Sequence, residues 1–172
     1  MKYLDKINMA LEKDGVIGAE PETYICGVPI WYAPETMKVD NTVFASVRNM
    51  CICNSVGGDA IVPAILYDSN FKKLSKTAKQ YVIAHEIGHV RNKDMDKKIG
   101  TNAYRFVCAY GVPKMEFLAD LRAVKRLGWK KTIKGMVEVA NANPASSMQL
   151  IRRAFAVAIY CKIHHVEDTA TA

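Results

Sequence analysis

The sequence predicts an α+β domain, a small mixed sheet of three to four strands followed by a helical half. Three observations lead there. Between Tyr24 and Asp68 the chain is rich in β-branched and aromatic residues, punctuated by Pro, Gly, Asn and Asp. From about residue 75 to 163 apolar residues recur at helical spacing instead. The length of 172 residues suits one domain with a real core, half of its residues being hydrophobic and 24% charged.

In chain order, Leu4, Ile7 and Leu11 make residues 3–13 a short amphipathic helix that Asp14-Gly15 ends, with docking as its default role. The strand segments are Tyr24–Cys26, Pro29–Tyr32, Thr42–Val47, Met50–Cys53 and Ala60–Tyr67, with Gly57-Gly58-Asp59 the clearest turn. Pro63 has no N–H to give a ladder, so the Ile61–Tyr67 strand is expected at a sheet edge, where an extended peptide can pair with it. Ser75 or Thr77 caps the next helix, which Asn92-Lys93-Asp94 ends, and Ile83, Ile87 and Val90 form its core side. Residues 102–110 read as a short helix stopped by Gly111. Pro113 suits the first turn of another, with Gly128 at its C-terminal cap. Two more helices span about 130–141 and 145–163, with Pro144 between them.

The helix after Ser75 carries His85-Glu86-Ile87-Gly88-His89, an H-E-x-x-H pattern. Residues four apart share a helix face, so His85 and His89 can grip one metal ion together. Glu86 lies about 100° further round, where its carboxylate can take a proton from a water on that ion. A hydrolytic zinc site needs three protein ligands and one open position, so a third ligand must come from elsewhere. Glu116 is the strongest candidate, near a helix start with small Ala119 and Ala123 beside it. Asp120, one turn on, is placed to accept the other ring N–H of a ligand histidine. An oxyanion at such a site needs a further donor, and Arg152, Arg153, Tyr104, Tyr110, His164 and His165 are all chemically suitable.

Residues 85–94, H-E-I-G-H-V-R-N-K-D, resemble the H-E-[IL]-G-H-x-x-N-x-D stretch of HtpX-type and CAAX-processing metallopeptidases. Glu116-Phe117-Leu118-Ala119-Asp120 is similar to the E-x-x-A-D segment of that family. The likeness covers roughly residues 75–128. It implies a zincin-like fold of the gluzincin type, with the metal between the motif helix and a following one. It also implies one zinc ion on His85, His89 and Glu116, Glu86 as general base, and Asp120 orienting a ligand histidine. Those relatives usually carry transmembrane helices, and they commonly have His-Pro followed shortly by Arg. Here Asn143-Pro144 is followed by Arg152-Arg153 at a longer distance. A second resemblance is to the ImmA/IrrE-like metallopeptidases, which tend to have Asn where this chain has Asp120.

The function expected is therefore that of a zinc metalloendopeptidase acting on a protein or peptide substrate. The longest apolar run near the C-terminus, Ala154–Cys161, is far shorter than a membrane span, and Met1–Lys6 has no signal-peptide core, so the expected location is cytoplasmic, without membrane insertion. Cys26, Cys51, Cys53, Cys108 and Cys161 form no C-x-x-C pair and read as reduced, mostly buried thiols. Residues 1–70 hold five basic and nine acidic side chains, and residues 71–172 hold nineteen and eight. A basic half decorates solvated helix faces or attracts nucleic acid. The rival reading is thus a catalytically silent or regulatory zincin-fold protein that binds nucleic acid or a protein partner. Glu86 speaks for the enzyme, because a pure binder has no chemical need of a general base.

Overall fold

A computed structural model describes residues 21–32, 44–54, 58–92 and 111–169. The expected helices at 3–13 and 102–110 lie outside these residues, as do Tyr104, Tyr110 and Cys108. The chain divides into two compact units, Met1–Lys72 and Lys73–Ala172.

The first unit is a mixed four-stranded sheet of β1 (Thr23–Ile25), β2 (Val28–Tyr32), β3 (Ala45–Asn54) and β4 (Gly58–Tyr67), in the order β1-β2-β4-β3. β1–β2 and β3–β4 are antiparallel hairpins, and β2–β4 is a parallel pair. Of the segments expected at 42–47 and 50–53, residues 45–47 and 50–53 belong to one long strand, β3, which pairs with β4 from Ala45↔Tyr67 to Asn54↔Gly58. Gly58 and Asp59 are thereby strand residues rather than turn residues.

The expectation of an edge position for Ile61–Tyr67 is overturned, because β4 lies between β2 and β3. Pro63 is accommodated because pairing with β2 covers only Ile65–Tyr67; at Pro63 the registered partner is Asn49 of β3. Val28, Ile30, Trp31, Ala64 and Ile65 are buried, which explains the near-continuous apolar run of a two-sided strand. A short helix not foreseen in the sequence, α1 (Ser69–Lys73), follows β4, and Asp68 Oδ1 accepts from the Phe71 N–H at 2.9 Å as its cap.

The second unit contains α2 (Lys76–Asn92), α3 (Lys114–Leu127), α4 (Trp129–Ala142) and α5 (Ser147–Ile163). Ser75 rather than Thr77 caps α2, its Oγ accepting from the Ala78 N–H at 3.1 Å. Gly128 closes α3 with φ +82°, in the left-handed region that glycine adopts without steric cost. Helix α2 packs on α3 and α4, and α5 packs on α4 and α3. Val112, Phe117, Val124, Ala156, Val157 and Cys161 form an apolar cluster in this unit. No described helix is long and apolar enough to cross a membrane.

On α2 the burial differs from the expected pattern. Ile87 is buried, but Ile83 and Val90 are only partly so, while Tyr81, Ala84, His85 and Gly88 are buried. The histidine face of this helix therefore lies against protein as well.

Candidate metal centre

Two glycines let α2 be approached at backbone distance. A Cβ on Gly88 would stand 2.8 Å from the Cα and the carbonyl oxygen of Ala119, so α3 lies directly on the H-E-x-x-H turn. A Cβ on Gly135 of α4 would run into the Tyr81 Cβ. The first contact delivers Glu116 and Asp120, on one face of α3, to the two histidines of α2.

His85, His89 and Glu116 each turn a donor atom to one point, all within 4.8 Å of one another. The Nε2 atoms of His85 and His89 are 3.0 Å apart. His85 Nε2 is 3.3 Å from Glu116 Oε2, and His89 Nε2 is 3.5 Å from Glu116 Oε1. A tetrahedral ion with bonds of about 2.0–2.1 Å needs donors about 3.3 Å apart. Two imidazoles and one carboxylate at these separations fit zinc in both chemistry and spacing.

Behind the donors lies a buried polar network. Asp120 is fully buried. Its Oδ1 accepts from His85 Nδ1 at 2.8 Å, the Tyr81 hydroxyl at 2.9 Å and Arg153 Nη2 at 2.7 Å, and its Oδ2 accepts from Arg153 Nε at 2.8 Å. In the neutral imidazole, a proton on Nδ1 facing this carboxylate leaves Nε2 of His85 as the lone-pair nitrogen, directed at the donor cluster.

Charge holds the group together. Burial alone would raise the Asp120 carboxyl, but Arg153 and His85 hold it below its usual range. The Glu116 carboxyl likewise resists burial and stays well below the ordinary range through His85, His89 and Arg153. Burial pulls the His85 imidazolium down, yet Asp120 outweighs it and lifts the pKa to about 9 in the metal-free protein. Burial and Asp120 push the Tyr81 phenol well up, so it serves as a neutral donor.

Of the other residues singled out in the sequence, Glu86 is half-buried on α2. Arg153 is buried in the network, whereas Arg152 is exposed on α5, and His164 and His165 are exposed just beyond it. Tyr81 is a member that sequence reasoning missed, although its place one turn before His85 was the available signal. Cys26 is exposed and Cys161 buried.

The family model for Peptidase family M48 matches residues 62–156, just over half of the chain. The chain belongs to peptidase family M48. The match runs from β4 through most of α5 and so contains every member of the polar cluster. Membership of M48 makes this a chain of the metallopeptidase class, with proteins or peptides as the class of substrate. No curated protein and no solved structure matches the chain.

Proposed function

We propose that the chain is a zinc endopeptidase of the gluzincin type, with His85, His89 and Glu116 as the metal ligands and Glu86 as the general base. The observation that carries this reading is the convergence of three donors of suitable chemistry, spaced 3.0–3.5 Å apart, inside the region that matches the M48 family. A bound zinc ion would supply Lewis acidity toward a peptide carbonyl and a water that is acidic near neutral pH. Glu86 takes the proton of the attacking water and passes it to the leaving nitrogen, a service typically worth about 10² to 10⁴ in rate. Asp120 keeps His85 in the tautomer that presents Nε2.

Because the family match begins in β4 and continues through the helices, the sheet and the helical unit belong to one peptidase domain on this reading. The presence of Glu86 beside the donor set favours an enzyme over a catalytically silent binder, which has no chemical need of a general base.

Purified protein is expected to contain close to one zinc per chain by elemental analysis, and His85→Ala to abolish it. Glu86→Gln keeps the zinc and loses cleavage of an unfolded protein substrate. Proteolysis that persists in Glu86→Gln would rule out the assigned base, and a wild-type protein that binds no zinc would rule out the site.

A further inference from the structure

Arg153 is the one member of the cluster contributed by α5. Its side chain is 8% exposed, and all three of its nitrogens are engaged. Nε and Nη2 take the two oxygens of Asp120 at 2.8 and 2.7 Å, and Nη2 also reaches the Tyr81 hydroxyl at 3.2 Å. Nη1 lies 2.6 Å from Glu116 Oε2. These contacts turn the guanidinium away from the role of a free oxyanion donor.

We infer that Arg153 is a positioning residue that makes Glu116 bind the metal through one oxygen. This rests on the metal-site reading above. Two parallel bonds to Asp120 fix the plane of the guanidinium, a geometry that an ammonium group does not reproduce. With the plane fixed, Nη1 has one direction, and Glu116 Oε2 lies in it. Both oxygens face the histidines, Oε2 at 3.3 Å from His85 Nε2 and Oε1 at 3.5 Å from His89 Nε2, but Oε2 is taken by Nη1, so Oε1 serves as the ligand atom.

The consequence concerns the coordination number. A carboxylate free to rotate can bind an ion through both oxygens, which would add a fifth donor to the three protein ligands and one water of a hydrolytic site. Arg153 withholds Oε2 and so keeps the ion four-coordinate. It also leaves the Glu116–Asp120 pair with one net negative charge, set against a divalent ion and two neutral imidazoles.

Cobalt substitution tests this without reference to activity. Co²⁺ added to the metal-free wild-type protein is expected to give the intense visible bands of a four-coordinate ion. Arg153→Lys, which keeps the charge, and Arg153→Gln are expected to shift to the weaker bands of a five-coordinate ion. Both are also expected to lose about 10- to 100-fold in metal affinity by chelator competition, as changes to residues that orient ligands typically do. If both variants melt cooperatively yet keep the wild-type spectrum and affinity, the inference is overturned while the metal site stands. If the wild type takes up no cobalt, the metal-site reading itself falls, and this inference with it. Should both variants fail to fold, the wild-type spectrum still decides, because a five-coordinate spectrum there overturns the proposal.

Discussion

Gly88 on α2 and Ala119 on α3 meet backbone to backbone: a Cβ at position 88 would stand 2.8 Å from both the Cα and the carbonyl oxygen of Ala119. Neither atom is the end of a flexible side chain, so relief requires the helices to move apart. The third residue of the H-E-x-x-H spacer and the alanine between Glu116 and Asp120 therefore set one distance, that from the histidines to the carboxylates.

Gly88→Ala separates propensity from packing. In an exposed helix the change would gain up to about 1 kcal/mol. Here overpacking reverses the sign, and a net loss of about 1–3 kcal/mol is expected in urea melts. Zinc affinity, measured by chelator competition, should fall together with the stability. A variant as stable as wild type would show that the helices separate at no cost.

Asp120→Asn tests the fully buried acceptor of the cluster. Arg153 loses the buried one of its two carboxylate partners and His85 its carboxylate, and breaking a buried pair in this way typically costs about 3–5 kcal/mol. Equilibrium unfolding of the metal-free protein measures that cost. A change within about 0.5 kcal/mol, the range of ordinary surface substitutions, would contradict the network described.

Tyr67 makes the sheet unit sensitive to alkali. Its hydroxyl donates to Glu22, and burial followed by that carboxylate raises the phenol pKa well above its ordinary value near 10. The unfolded chain ionises at the lower pKa and the folded one does not. The contribution is thus complete below about pH 10 and is lost as pH rises above it. Tyr67→Phe should accordingly lose less stability than wild type between pH 9 and 11 in parallel urea melts. Identical slopes would refute the assignment.

Cys26 and Cys161 should separate by reactivity. Cys26 is exposed, whereas Cys161 is 2% exposed in the apolar cluster of the helical unit, where burial and then Asp168 raise its thiol pKa. The thiolate is the reactive form. Brief alkylation of native protein, read by peptide mass, should label Cys26 and spare Cys161 until denaturant is added. Equal labelling of both would count against the burial of α5.

Sequence alone determined what is local. The four-residue spacing of His85 and His89 places both on one helix face by helical geometry. Ser75, Pro113 and Gly128 mark helix ends because capping and backbone freedom are properties of single residues. The β-rich stretch declared a sheet through side-chain shape. Tertiary structure decided what depends on contacts distant in the chain. Strand order was one such matter: Pro63 pointed to an edge, yet pairing with β2 begins two residues later and β4 lies inside the sheet. Membership of the polar cluster was another. Arg152 and Arg153 are equivalent as a sequence pair, and the 100° step between them buries one at Asp120 and leaves the other exposed. Tyr81 joins through Gly135 and Asp120, 54 and 39 residues away in the chain. A periodic pattern assigns residues to helix faces, but which face meets which is a property of packing.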